Sequence, residues 1–257
     1  MLRACSIASG SKGNCMYIGS QQANIIVDAG VNLLLIEKSL KLFGTNASKL
    51  DGVLISHVHS DHTCGVAALC KKYSVPVFCH QAIADFMSKH SDGQIVEFFD
   101  DSFYLKDLTI TPFKVEHDVH CVGFAVISNT KQVSIATDMG QATQGAIDAM
   151  QGSDLCFVES NHDVQLVQQG SYPEFLKKRI LSKKGHLSNN ACGDLIQSLV
   201  NFGTKNFVLS HLSESNNYPE LAFSSVVNKL QEKGIKEGQD VHLEVAMQNR
   251  LSSLYQL

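Results

Sequence analysis

The chain has 257 residues, 44% of them apolar and 18% charged, with a formal net charge of −4. Such a composition builds a sizeable core, which excludes a disordered tail, and the negative balance excludes a generally basic nucleic-acid coat while allowing a local basic patch. No apolar run of about 18 residues predicts a membrane helix, and eight Cys with no Cys-x-x-Cys pair exclude a cysteine-rich zinc cage.

Taken in chain order, short apolar runs predict strands over 2–8, 16–19 and 24–28, interrupted by the turn Ser9-Gly10-Ser11-Lys12-Gly13-Asn14. Leu33, Ile36, Leu40 and Phe43 fall at helical spacing, so a helix is expected over 31–43, stopped by Gly44. A buried strand over 52–56, a helix over 64–73 and a strand over 75–79 follow. Next comes a β-rich stretch with strands over 95–98, 108–115, 122–128 and 132–137. The last third returns to alternation: strands over 155–159, 206–210 and 241–246, helices over 173–181, 188–202 and 220–233. Helices outside two β layers suit this order, and one domain spanning 1–257 is expected, with no linker or repeat. The start, Met1-Leu2-Arg3-Ala4-Cys5-Ser6, lacks the apolar stretch of a secretion signal, and scattered thiols fit a reducing cytoplasm.

Eleven His is the unusual count. The densest group is Ser56-His57-Val58-His59-Ser60-Asp61-His62, which follows the apolar strand Gly52-Val53-Leu54-Ile55. Three imidazoles and a carboxylate within six residues point to metal ligation rather than packing. His57 and His59 lie two apart, so on an extended strand end they project to one side. Asp61 and His62 come after the chain turns and are available to a second ion. His80, His90 and His242 read as structural or surface residues.

His-x-His-x-Asp-His after a buried strand resembles the metallo-β-lactamase superfamily of binuclear hydrolases. The rest of that pattern follows in order: Glu116-His117-Asp118 after the β-rich run, Thr137-Asp138-Met139-Gly140 at a strand end, and Ser210-His211-Leu212 after a later strand. The resemblance implies a four-layer αββα sandwich of two similar halves with the metals at the edge between them. It implies one ion on His57, His59, His117 and Asp138, and another on Asp61, His62, Asp138 and His211. All these ligands are N or O, which suits zinc and also accepts manganese or iron. By the same resemblance Asp28 orients a ligand from behind; a turn-forming Asp before Gly30 is the plainer alternative.

Within the superfamily, β-lactamases usually carry Cys where this chain has Asp138. Nucleases of the CPSF type insert a large domain after that Asp, but only 72 residues lie between Asp138 and His211. Only 20 lie between His117 and Asp138, which leaves no room for the arm of many tRNA 3′-processing enzymes. What remains resembles the single-domain YycJ/WalJ-type branch, a group associated with DNA exonuclease activity. The segments carrying this likeness are Ala8-Ser9-Gly10-Ser11-Lys12-Gly13-Asn14, Glu159-Ser160-Asn161-His162-Asp163, Gly170-Ser171-Tyr172-Pro173 and Gly185-His186-Leu187-Ser188-Asn189. Members usually carry Glu-Pro or similar after the His117-Asp118 element, where this chain has His120-Cys121.

Three features suit a phosphodiester. Gly185-His186-Leu187-Ser188 precedes an amphipathic helix, whose N-terminus attracts anions; His186 is then either a leaving-group acid or a simple cap. Lys177, Lys178, Arg179 and Lys184 belong to a basic run that either follows a nucleic-acid backbone or forms a solvated face. Ser11 and Asn14 lie in a turn that either presents N–H groups to phosphate or only joins two strands. His162 and His120 are further candidates for the cleft. The expected function is a cytoplasmic, binuclear metal-dependent phosphodiesterase, a DNA nuclease in which a metal-bridging hydroxide attacks and Asp61 positions it. An RNA-processing nuclease and a glyoxalase II-like thioester or ester hydrolase are the rivals. DNA is favoured over RNA as partner, no membrane is expected, and monomer and homodimer stay equally open.

Overall fold

A computed structural model describes residues 1–98 and 100–257. The strands are β1 (Arg3–Ala8), β2 (Cys15–Gly19), β3 (Asn24–Val27), β4 (Gly52–Ile55), β5 (Val77–His80), β6 (Ile95–Phe98), β7 (Phe103–Leu105), β8 (Leu108–Lys114), β9 (Val122–Ser128), β10 (Lys131–Ala136), β11 (Leu155–Glu159), β12 (Asn206–Ser210), β13 (His242–Val245) and β14 (Tyr255–Gln256). The helices are α1 (Leu33–Leu42), α2 (Ser60–Thr63), α3 (Val66–Tyr73), α4 (Ala84–His90), α5 (Gln144–Met150), α6 (Val164–Gln169), α7 (Glu174–Ile180), α8 (Asn189–Val200) and α9 (Pro219–Gln231). One seven-stranded sheet has the order β14-β1-β2-β3-β4-β5-β6, the other β13-β12-β11-β10-β9-β8-β7. Both are mixed. The pairings β1–β2 and β2–β3 are antiparallel, whereas β3–β4, β4–β5 and β5–β6 are parallel. Strands β10 to β13 are parallel throughout. This is the α/β class that the alternation of elements predicts.

The chain divides into two compact units, Met1–Pro112 with Val126–Lys131 and Gln248–Leu257, and Phe113–Ala125 with Gln132–Met247. Each has its own core. In the first unit Tyr17, Ile26, Ile36, Leu40, Val53 and Val66 lie among the buried side chains. The second buries Phe207, Val158, Leu195, Ile196, Leu199 and Val226. Parallel strands with helices on their faces are buried on both sides, which is why β4 (Gly-Val-Leu-Ile) and β11 (Leu-Cys-Phe-Val-Glu) are buried at every position.

Local chemistry sets several boundaries. The helix expected over 31–43 begins at Leu33 because the Asn32 side chain accepts the Leu35 N–H as its N-cap. Ser188 caps α8 in the same way, accepting from Ala191 N–H. The helix expected over 64–73 begins at Val66, after the separate turn α2. Helices α4, α5 and α6 and strands β7 and β14 were not anticipated. Each is seven residues or fewer, too short for periodicity to register. Strand β14 exists because it pairs with β1, Arg3 opposite Gln256 and Ala4 opposite Tyr255. No helix among the described residues is long and apolar enough to cross a membrane.

Candidate metal centre

In the first unit the loop after β4 carries His57, His59, Asp61 and His62. His57 and His62 are fully buried, and half-buried Asp61 is the first acidic residue of α2. Asp28 follows β3 in the left-handed region, with φ 59°, a conformation uncommon outside glycine that Asp adopts more readily than most residues. There its Oδ1 accepts the Ser56 N–H at 2.9 Å. Its Oδ2 accepts the Ser56 hydroxyl at 2.8 Å and the His62 Nδ1–H at 2.7 Å. That bond leaves His62 Nε2 with its lone pair, 3.0 Å from Asn14 Nδ2 and 3.4 Å from Asp61 Oδ2. His57 Nδ1 lies 3.0 Å from the Ser56 hydroxyl, and His57 Nε2 faces His59 Nδ1 at 3.1 Å.

The loop is strapped down by backbone. Asn14 N–H donates to the Asp61 carbonyl, and Ala29 N–H to the His62 carbonyl. Gly30 is where the two loops touch: a Cβ there would sit 1.6 Å from the Asp61 carbonyl oxygen, so no other residue fits without moving the metal loop.

In the second unit the centre of the arrangement is Glu159, at the end of β11 and fully buried. Its Oε1 accepts from His211 Nδ1 at 2.7 Å and His186 Nδ1 at 2.9 Å. Its Oε2 accepts the Met139 and Leu187 N–H groups, both at 2.9 Å. Burial alone would raise the pKa of Glu159, but the two imidazoles reverse this and hold its carboxyl down to about 2. For His186 burial works against the proton, yet Glu159 and Asp138 raise its pKa above the ordinary value. Asp138 and His211 are buried and left-handed, each with φ 58°, just past β10 and β12. Asp138, Glu159, His186 and His211 can each bring one ligand atom within 4.8 Å of the others. His117 Nδ1 lies 3.2 Å from the Gly185 carbonyl, and its Nε2 lies 3.1 Å from Asp118 and 3.9 Å from Asp138. Burial lowers the pKa of His117 against the pull of Asp138.

The donor set of each unit fits a divalent cation. His57, His62, His117 and His211 are all buried, and each has one ring nitrogen beside a fixed oxygen, of Ser56, Asp28, Gly185 and Glu159 respectively. The other nitrogen is then oriented for a ligand, the pattern that metal-binding imidazoles use.

The remaining candidates separate. His162 is buried with no hydrogen-bond partner at Nδ1 among the described residues, and burial brings its pKa down to about 4 despite the charge of Glu159. His120 is half-buried between β8 and β9, Ser11 is exposed, and Asn14 is buried. Lys177 donates to the Gln168 carbonyl, and Arg179 pairs with Asp118 at 2.5 Å. Lys178 and Lys184 are exposed. Ser188, not His186, caps α8. Glu159 opens the motif Glu159-Ser160-Asn161-His162-Asp163, in which its sequence context alone assigns it no role. Behind it lies a buried polar group that the sequence does not single out. Asn161 Nδ2 donates to the His211 carbonyl at 2.8 Å, and Asn217 Nδ2 donates to the carbonyls of Ser160 and Asn161 and to Asn189 Oδ1. The available signal was polar Ser160-Asn161 directly after an apolar strand.

Residues 23–212 match the family model described as the Beta-lactamase superfamily domain, and the chain belongs to that superfamily. With that membership it is a hydrolase whose fold is the superfamily's αββα sandwich. The chain is 32% identical over 239 residues to the exodeoxyribonuclease YycJ of Bacillus anthracis, covering 91% of this chain and 90% of the relative. It is 33% identical over 243 residues to the exodeoxyribonuclease WalJ of Streptococcus pneumoniae, with the same coverage. Among solved structures, the metallo-β-lactamase fold protein YhfI from Bacillus subtilis superposes with a TM-score of 0.75 at 19% identity, over 98% of this chain and 100% of that one.

Proposed function

We propose that the chain is a binuclear metal-dependent phosphodiesterase that degrades DNA from its ends, acting as one hydrolase domain over 1–257. The observation that carries this reading is the likeness, over about nine-tenths of both chains, to two proteins named exodeoxyribonucleases. The seven ligands are His57, His59, Asp61, His62, His117, Asp138 and His211, with zinc favoured and manganese or iron as alternatives. Held by these residues, two divalent ions would supply charge neutralisation for the scissile phosphate and a lowered pKa for a water, so that hydroxide would be available near neutral pH.

The chain's own residues supply the rest. Asp28 holds His62 in the tautomer whose Nε2 carries the lone pair. Asp61 offers a carboxylate on the same short loop. Glu159 holds His186 through Nδ1 and favours its protonated form, so the imidazole has a proton for the departing oxygen. An alkoxide leaves poorly without that help. Eight cysteines, seven of them buried, form no disulfide among the described residues, which supports a reducing, cytoplasmic setting.

The test is a panel of single- and double-stranded DNA and RNA, labelled at either end, with manganese and zinc compared. Stepwise loss of nucleotides from DNA ends is the expected result. Cleavage of RNA alone, or of thioesters alone, overturns the assignment.

A further inference from the structure

A basic, aromatic segment borders the candidate ligands of the second unit, and the mechanism above leaves it unused. Residues 172–184 carry five basic side chains and one acidic one in a chain of net charge −4. Helix α7 buries none of its residues. Phe175 on that helix is 75% exposed. A single exposed ring is ordinary on a protein surface; what distinguishes Phe175 is the set of basic side chains around it.

The charges around it are not equivalent. Lys177 is tied to the Gln168 carbonyl and Glu174, and Arg179 to Asp118. Lys178, Lys183 and Lys184 are exposed and have no ion-pair partner among the described residues. Lys178 stands three positions after Phe175, so the two are neighbours on the helix surface. Lys178 also lines a cleft of about 500 Å³ with Gln168, Glu174, Lys177 and Leu181. The segment is fixed to the candidate ligands and their neighbours at several points. Arg179 pairs with Asp118, the Gly185 carbonyl lies against His117 Nδ1, and a Cβ on Gly140 would sit 2.4 Å from the backbone of Lys183. A nucleic-acid strand lying along it therefore leads toward His117, Asp138 and His186.

We propose that this segment is a landing platform for a single-stranded nucleic-acid end. Phe175 stacks on an unpaired base, and Lys178, Lys183 and Lys184 hold the neighbouring phosphates. An exposed aromatic ring beside unneutralised lysines is the chemistry that binds single strands. A blunt duplex keeps its bases stacked on one another and offers the ring little. The inference rests on the phosphodiesterase reading and narrows its substrate to DNA ends with unpaired nucleotides.

The experiment is equilibrium binding of fluorescein-labelled single-stranded oligothymidylate, the same strand with abasic sites, and a blunt duplex to the full chain with metal chelated, so that no cleavage intervenes. Because Phe175 is exposed, its variants are expected to fold, and circular dichroism checks this. Phe175→Ala should weaken single-strand binding about 5- to 150-fold, Phe175→Leu nearly as much, and Phe175→Tyr little. None of the three should change binding of the abasic strand. Lys178→Ala and a Lys183→Ala/Lys184→Ala variant should each lower the slope of log affinity against log salt by about 0.7 for every phosphate no longer held.

Retention of affinity by Phe175→Leu overturns stacking. So does an equal loss on the single strand, the abasic strand and the duplex. A concentration-dependent dimer that Phe175→Ala dissociates makes the patch a subunit interface, and overturns the platform. The two readings fail separately. Tight, Phe175-dependent binding with no cleavage under any metal refutes the nuclease and spares the platform. Cleavage of DNA ends with unchanged binding by Phe175→Ala does the reverse.

Discussion

Asp61 is half-buried on a four-residue helical turn, where it takes no part in the core. Asp61→Ala should therefore leave the thermal transition of the metal-free protein close to that of the wild type while nearly abolishing turnover. A folded variant that keeps most of its activity removes Asp61 from the mechanism. Glu159 is the opposite case, because one carboxylate satisfies two imidazoles and two backbone N–H groups. Glu159→Gln keeps the shape but cannot accept at all four positions. Metal affinity or activity should fall about 10- to 100-fold, which metal titration and initial rates would measure together. His162 gives a pH signature. Its folded-state pKa lies at about 4, below the unfolded value of 6.5, so the unfolded chain takes up the proton first. Its stabilisation is complete above pH 6.5 and declines as pH falls toward 4, by as much as about 3 kcal/mol. His162→Gln should flatten the stability–pH curve across that window in denaturant titrations. An unchanged slope would mean that His162 titrates normally.

Within the elements, the decisive devices lie where strands end. Asp28, Asp138 and His211 each follow a strand and each adopt a left-handed backbone. That conformation turns the side chain out of line with the pleat. Strand ends were readable as apolar runs, but the backbone conformation just beyond them was not, since any polar residue suits a turn. Gly30 shows the same limit. In the sequence it is a turn residue; in the structure it is the surface on which the Asp61 carbonyl rests. Gly30→Ala places a carbon against backbone, which has no rotamer to yield. The cost should reach about 1–3 kcal/mol or more, with weakened metal binding as the loop lifts. Wild-type stability and metal affinity in the alanine variant would show that the loop is not so tightly seated. Helices α4, α5 and α6 escaped sequence reading for a plainer reason: in two turns or fewer, one or two buried positions define no stripe.

At the scale of the whole molecule, metal should act on folding as well as on chemistry, because buried imidazoles and carboxylates gain a common partner. Elemental analysis of gently purified protein should find two ions per chain. A ceiling of one after loading refutes the binuclear site. Chelation should lower the melting temperature, and restoring free metal to about 100 times its dissociation constant should recover about 2.7 kcal/mol of stability per site. The α/β class and the superfamily were legible in the sequence alone, and the sequence also nominated the candidate ligands. Imidazole and carboxylate at short spacing after an apolar strand are local facts, and chemistry limits what they serve. The tertiary structure decided the rest. Glu159 meets His186 and His211, 27 and 52 positions away. Asn217 joins Asn161 and Asn189 across similar gaps. It also decided which basic side chains of residues 172–184 are neutralised, Lys177 and Arg179 among them. Those pairings depend on how distant segments close onto one another, and no local pattern of residues encodes them.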